Sequence, residues 1–171
     1  MQNEDKPIFG PEDVISTYSD SQAIEDGILV AINPRDRVTR SVWEWLVENQ
    51  PKGNQPPNCW PVGMIGWFKA AAITKREALE LIAKHGAKEG QEKYERQVRD
   101  RKAHALSIGV IDQNRDRAKR TYDENLDGGI FKLLARVEGG QIIELGPTGD
   151  VALWLLPNEN EGISLMFPSD Y

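Results

Sequence analysis

The sequence predicts an α+β protein in which an antiparallel sheet is packed by helices, with a charged helical excursion in the middle. Four β-rich runs lie near the C-terminus, at residues 131–137, 141–145, 151–156 and 163–167. Strands this close together, linked by turn residues, form an antiparallel meander. Apolar residues at helical spacing precede them. With 171 residues and 39% hydrophobic residues, the chain can bury a core as a single domain, 1–171.

The N-terminal part predicts a leader, a short helix and a strand. Residues 1–12 are polar, acidic and interrupted by prolines, which is typical of a flexible leader. Ser19 is a good N-cap for a helical turn that ends at Gly27, where glycine accepts a left-handed conformation. The apolar run 28–32 follows as a buried strand. We expect this strand to join the C-terminal sheet.

A helix over residues 40–49 is predicted from apolar residues at helical spacing, and Pro51 ends it. Trp43 and Trp45 are two positions apart and cannot share one face of this helix. One of them should therefore point away from the core. Trp43, beside Arg40, is our candidate for a contact with a partner or a base. The alternative is that a neighbouring loop covers the exposed ring.

The central part of the chain predicts helices with a charged surface. Thr74 followed by Glu77 fits a capping box that opens a helix over residues 75–85. Residues 86–125 are predicted as a helical arm, or insertion, that projects from the main body. We expect a break in this arm near 107–109, because Ser107 and Gly109 interrupt the helical pattern.

The charge of the chain is unevenly spread. The formal net charge is −6, which disfavours sequence-independent binding to phosphate backbones. Segment 91–120 nevertheless holds nine basic and five acidic residues, a local net of +4, so the rest carries −10. A nucleic acid or an acidic partner is a possible ligand of this segment, and a solvated helix face is the simpler interpretation. The candidate residues are Arg96, Arg99, Arg101 and Lys102.

No motif in the sequence predicts catalysis or a cofactor. The glycines form no phosphate-binding loop. Cys59, His85 and His104 share no ligand spacing, so no metal site is predicted. Cys59 is also the single cysteine, which excludes an intrachain disulfide. The first residues lack a signal-peptide pattern, and no apolar stretch reaches the length of a membrane span. We therefore expect a cytoplasmic protein without a membrane partner, and we expect no cofactor.

One N-terminal segment resembles a known protein family. YSDSQAIEDGILVAI, residues 18–32, is similar to the N-terminal motif of a family of uncharacterised bacterial, plasmid and phage proteins. Segments 38–43, 131–137 and 163–168 fit three further parts of that family. The resemblance covers about half of the chain and implies an accessory role in mobile elements. The matching motif positions are Tyr18, Ser19, Gln22, Ala23, Ile24, Asp26, Gly27, Ile28, Leu29 and Val30.

The same motif has a physical interpretation of its own. Tyr18, Gln22 and Asp26 are four residues apart, so a helix would place them on one face. Such a polar face can bind a ligand through hydrogen bonds. It can equally fix the turn against the sheet, with Asp26 accepting from Arg40 or from a backbone N–H.

Three functional hypotheses follow from these patterns. The first is a non-catalytic interaction module that binds a protein partner through the acidic surface or the arm. The second is a nucleic-acid-associated protein that uses segment 91–120. The third is a small hydrolase or transferase built around Tyr18, Gln22, Asp26 and Arg40.

Overall fold

The computed structural model describes residues 19–50 and 72–171 and confirms an α+β fold. The helices are α1 (Asp20–Glu25), α2 (Arg40–Glu48), α3 (Lys75–His85) and α4 (Ala87–Asp123). The strands are β1 (Leu29–Ala31), β2 (Arg37–Thr39), β3 (Phe131–Glu138), β4 (Gln141–Gly146), β5 (Val151–Pro157) and β6 (Ile163–Met166). Short 3-10 turns follow at Leu126–Gly129 and Pro168–Asp170. Within these ranges no helix is long and apolar enough to cross a membrane.

The strands form one sheet of six in the order β1-β2-β6-β5-β3-β4. The predicted C-terminal meander is confirmed, since β3–β4, β3–β5 and β5–β6 all pair antiparallel. The Gly139-Gly140 turn between β3 and β4 has both residues at positive φ, as a tight hairpin requires. One expectation is corrected: the sheet is mixed, because β2 pairs parallel with β6.

The early strand joins this sheet through an element that the sequence did not reveal. Leu29–Ala31 pairs with β2, and β2 in turn pairs with β6 through Val38 and Leu165. The strand predicted at 28–32 does join the sheet, but through a second short strand before α2 that the sequence does not predict. The hairpin β1–β2 thereby brings the start of α2 beside the end of β6.

One face of the sheet carries the hydrophobic core. Helices α2 and α4 cover this face and bury their apolar side chains against the inward residues of five strands. From the helices the core takes Val42, Leu46, Ala103, Leu106, Val110, Ile111 and Ala118. From the strands it takes Val38, Leu133, Ile142, Leu153, Leu155, Ile163 and Leu165.

Helix α4 corrects the predicted arm. It runs unbroken for 37 residues, and its second half lies in the core, so residues 102–118 do not project from the body. The expected break near 107–109 is wrong. The Ser107 hydroxyl donates to the Ala103 carbonyl within the helix at 2.8 Å, which satisfies its polar group. Ser107 and Gly109 are buried small residues, and small side chains allow close packing on the sheet.

The first half of α4 forms a hairpin with α3. The predicted capping box is confirmed: the Thr74 hydroxyl accepts from the Glu77 N–H, and the Glu77 carboxylate accepts from the Thr74 N–H. Gly86, with φ of +82°, ends α3 and reverses the chain. Gly90 is buried directly against the backbone of α3. Within the predicted arm of residues 86–125, this first half of α4 lies outside the core cluster.

Candidate functional site

An open cleft of about 680 Å³ borders part of the N-terminal motif. It lies between α1, the start of α2, β6 and the C-terminal turn. Ala23, Ile28, Leu29 and Met166 provide its apolar lining. Its polar lining consists of Ser19, Asp20, Gly27, Thr39, Arg40, Ser41, Glu44, Ser164 and Asp170. Three stretches of the chain, residues 19–29, 39–44 and 164–170, thus meet at one surface depression.

Gln22 acts as a capping residue of α1. Its side-chain oxygen accepts from the Ser19 N–H at 2.9 Å, and the Ser19 hydroxyl accepts from the Gln22 N–H at 3.3 Å. This reciprocal pair satisfies two N–H groups that would otherwise be free at the helix start. Gln22 does not line the cleft. The structural alternative for this motif residue therefore describes it better than the ligand hypothesis.

Two further candidate residues, Asp26 and Arg40, do not lie together at the cleft. Asp26 is the exposed C-cap residue of α1 and does not line the cleft. Arg40 does line it, and its Nε donates to the Gly27 carbonyl at 3.0 Å. Gly27 has φ of +73°, so the guanidinium holds a left-handed turn between α1 and β1. Tyr18 lies outside the described residues, so the predicted four-residue cluster is represented at the cleft by Arg40.

Trp43 is not the exposed ring that a contact with a partner or a base would need. Both Trp43 and Trp45 are half-buried and pack against the core cluster. The Trp45 ring meets Phe167 edge-on, with centroids 5.7 Å apart. Neither ring points fully away from the core, because α2 packs both on α4 and on the C-terminal residues. Apolar neighbours therefore cover more than one face of α2.

Two hydroxyls and one carboxylate join α2 to the C-terminal turn. The hydroxyls of Thr39 and Ser41 donate to one oxygen of Asp170, at 2.7 and 2.5 Å, and the Phe167 N–H donates to it at 3.1 Å. Burial raises the pKa of Asp170, but these hydrogen bonds outweigh it and lower the pKa overall. Asp170 is therefore ionised at the edge of the cleft.

The cleft carries a negative balance. Asp20, Glu44 and Asp170 bring three carboxylates to its lining, and Arg40 is the one cation among the lining residues that the structure describes. Asp20 also lies 3.3 Å from the buried Arg37 Nε and accepts from Asn160 at 2.7 Å. These contacts fix Asp20 in position at the N-terminus of α1.

A buried ion pair that no sequence pattern predicts lies outside the cleft. Asp36 is 2% exposed and accepts from both Nη atoms of Arg115, at 2.9 and 2.7 Å. Its carboxylate also accepts from the Ile163 N–H and the Asn33 amide. Burial raises the pKa of Asp36, and these hydrogen bonds lower it further than burial raises it. The hydrogen bond to Asp36 raises the pKa of Arg115. The pair joins α4 to the loop before β2 and to β6.

The four predicted cations of segment 91–120 do not form one patch. Arg96 and Arg99 are exposed, whereas Lys102 is 6% exposed and burial lowers its pKa. Arg101 donates to the Glu77 carboxylate at 2.8 Å. This hydrogen bond, with those from Thr74, lowers the pKa of Glu77 to about 2. Arg99 and Lys102 line a groove of about 550 Å³ between α2 and α4.

Metal-ligating residues do not cluster within residues 19–50 and 72–171, where no group of three or more His, Cys, Asp or Glu is placed to hold an ion. His104 contacts the Ile32 carbonyl at 2.8 Å through Nε2. His85 lies at the end of α3, beside Lys93 and Glu89. Cys59 lies outside the described residues.

Comparison with known proteins adds no relative. No family model matches the chain, and no curated protein or solved structure shows significant similarity to it.

Proposed function

We propose that this chain is a non-catalytic interaction protein that binds a basic segment of a partner protein in the cleft beside α1 and α2. The observation that carries the proposal is the composition of this cleft. Three carboxylates face one guanidinium around an apolar floor. A segment with lysine or arginine beside apolar side chains complements such a surface.

The exposed apolar floor supports a protein ligand. Ile28, which directly precedes β1, lines the cleft and is 53% exposed. Leu29 and Met166 continue the apolar surface and are half-buried. Apolar anchors surrounded by charged residues are typical of the centre and rim of protein interfaces.

The net charge of the chain also favours a basic partner. The chain carries a net charge of −6, and the cleft shares this sign. A basic partner would be attracted at long range and oriented by the carboxylates on contact. The resemblance of residues 18–32 to mobile-element proteins supports an accessory role, and we place that role in the cytoplasm.

The two other hypotheses have less support. A nucleic-acid role would need the four cations of segment 91–120 to act together, yet Lys102 is buried and Arg101 is paired with Glu77. A hydrolase or transferase around the motif would need Gln22 and Asp26 beside Arg40. Gln22 instead caps α1, and Asp26 does not line the cleft.

Site-specific photo-cross-linking in cells tests the proposal. A photoreactive amino acid replaces Ile28, and in a matched control it replaces Leu79 on α3. The two positions are 53% and 57% exposed, so accessibility alone does not distinguish them. We expect a discrete cross-linked protein at position 28 and not at position 79.

A charge reversal then tests the role of the carboxylates. Glu44→Lys should weaken the cross-link at position 28 about fivefold, because it removes one negative charge and adds a repulsive one. Glu92→Lys, an exposed acid-to-base change on α4, is the control and should leave the cross-link intact. Equal labelling at both positions, or an adduct that ignores Glu44→Lys, would contradict the proposal.

A further inference from the structure

A second cavity, of about 600 Å³, lies between the second half of α4 and the edge of the sheet. It forms where β4 ends. Gly146 pairs with Leu134, whereas residues 131–133 pair with β5 on their other side. The edge of β3 is thus left open over this stretch, and Pro147 turns the chain away. The volume lies in the range of cavities that hold small molecules.

The walls of this cavity are largely apolar. α4 contributes Val110, which is buried, and the strands contribute Phe131, Leu133 and Leu145. Such walls bind an aromatic ring or a short aliphatic chain through the area that they remove from water.

Two cations stand at the rim without an acidic counterpart. Arg117 on α4 and Lys132 on β3 line the cavity, and among residues 19–50 and 72–171 no carboxylate residue lines it with them. The ion pairs found among residues 19–50 and 72–171 use other cations. A concave surface with two cations and no acid on its lining attracts anions.

A buried amide completes the polar side of the cavity. Asn114 is 8% exposed and donates one N–H to the Val110 carbonyl at 2.9 Å. Its second N–H and its oxygen have no hydrogen-bond partner within the part of the chain that the structure describes. Among the described residues, Asn114 Oδ1 is not one of the side-chain atoms buried without a partner, so this oxygen is open to solvent and can bind a polar group of a ligand.

We infer that this cavity binds a small organic anion, with a carboxylate or phosphate group attached to an apolar body. Arg117 and Lys132 hold the anionic group. The apolar body lies against Val110, Phe131 and Leu145, and Asn114 binds a polar group of the ligand. This site is separate from the proposed protein-binding cleft and does not depend on it.

Amide chemical shifts of the full chain test the inference with three probes. 4-Phenylbutyrate and phenyl phosphate carry an anionic group on an aromatic body, and 4-phenylbutanol is the neutral counterpart of the first. We expect both anions to shift the amide signals of Lys132, Leu133 and Gly146. We expect the alcohol to bind about tenfold more weakly, since it loses the charge-assisted contacts.

Three variants locate the charge requirement. Arg117→Ala and Lys132→Ala should each weaken 4-phenylbutyrate binding about fivefold. Arg96→Ala removes an exposed cation about 30 Å away along the same helix and should leave the affinity unchanged. The inference is overturned if the alcohol binds as tightly as the acid, or if Arg96→Ala weakens binding equally. It is also overturned if neither anion shifts these amides at about 10 mM.

Discussion

Asp36 shows how a single buried side chain connects distant parts of this protein. Its carboxylate is almost fully removed from water, which is unfavourable for a charge. Four donors compensate: two from Arg115, one from Asn33 and one from the backbone of Ile163. They come from α4, from the loop before β2 and from β6. The residue therefore fixes the mutual position of three elements.

We expect Asp36→Asn to lower the free energy of unfolding by about 2 kcal/mol. The variant keeps the shape of the side chain but leaves the Arg115 guanidinium, which is 26% exposed, without its buried counter-ion. Urea denaturation monitored by circular dichroism measures the change. Glu80→Gln is the control, because its pair with Arg76 is on the surface with side chains 63% and 89% exposed. That change should cost less than about 0.5 kcal/mol, and equal losses would contradict the role of burial.

The lowered pKa values of Asp36 and Asp170 predict the pH dependence of stability. Each carboxyl binds its proton more weakly in the folded chain, so protonation favours the unfolded state. Their stabilisation is fully present above the ordinary carboxyl pKa of about 4 and is lost as pH falls through the lower folded values.

Urea midpoints between pH 6 and pH 2.5 measure this loss. We expect the midpoint to fall below about pH 4 in the natural sequence and to fall less steeply in Asp36→Asn, which lacks one of the two groups. A parallel decline in both proteins would show that other carboxyls dominate. Glu77, whose pKa is lowered to about 2, is present in both proteins and does not affect this comparison.

Among the helices, α3 depends on one glycine of its partner. A Cβ at Gly90 would come within 2.6 Å of the Ile82 Cα and 2.8 Å of the Leu81 carbonyl oxygen. The two helices can therefore approach closely only because position 90 has no side chain. Helix propensity acts in the other direction, since alanine favours a helix over glycine by about 1 kcal/mol.

We expect Gly90→Ala to open the α3–α4 hairpin despite this gain. Overpacking against backbone costs about 1–3 kcal/mol, which is the larger effect. Backbone amides of α3 should exchange with solvent about tenfold faster, as hydrogen exchange with mass spectrometry would show. Gln97→Ala, at an exposed position of the same helix, is the control and should leave this exchange unchanged. Slower exchange in Gly90→Ala would mean that propensity outweighs the clash.

The sequence predicted elements well where their signal was local. Short segments of turn residues separate strands β3 to β6 from one another. The capping box of Thr74 and Glu77 marks the start of α3. β2 was missed because its three residues place one apolar side chain between Arg37 and Thr39, too short a pattern to detect. The core stripe of α4 was missed because charged residues lie between its buried positions, and Ser107 and Gly109 suggested a break.

The candidate site was predicted less well than the fold, and the reason is also physical. Arg40 was recognised as a candidate partner of the motif residue Asp26, and it lines the cleft. Asp170 lies 129 positions from Ser41, and Asp36 lies 79 positions from Arg115. Such pairs depend on the strand order, and a single sequence carries no local signal for them. Gln22 was recognised as important, but its partner is Ser19, three residues away, as in any capping box.

Over the whole molecule, the two halves of α4 differ in what supports them. Its second half contributes Leu106, Val110 and Ile111 to the core, whereas its first half packs mainly on α3, a helix without fully buried residues. Local opening free energies follow such differences in buried apolar area. One continuous helix therefore combines a stable segment with a less stable one.

Native-state hydrogen exchange at low denaturant should resolve the two halves. We expect amides of residues 103–118 to exchange only with global unfolding, and amides of residues 75–99 to exchange through a smaller opening of lower free energy. The denaturant dependence separates them, because a smaller opening exposes less surface. A single common opening free energy along all of α4 would contradict this division.

The parallel pairing of Val38 with Leu165 has a consequence for synthesis on the ribosome. The β1–β2 hairpin is made early, but its neighbour in the sheet is translated more than a hundred residues later. Until then Val38 has no strand beside it on that side, and Asp36 has no Ile163 N–H to bind. The nascent hairpin therefore lacks its neighbouring strand until β6 has been translated, and the sheet cannot form completely before that point.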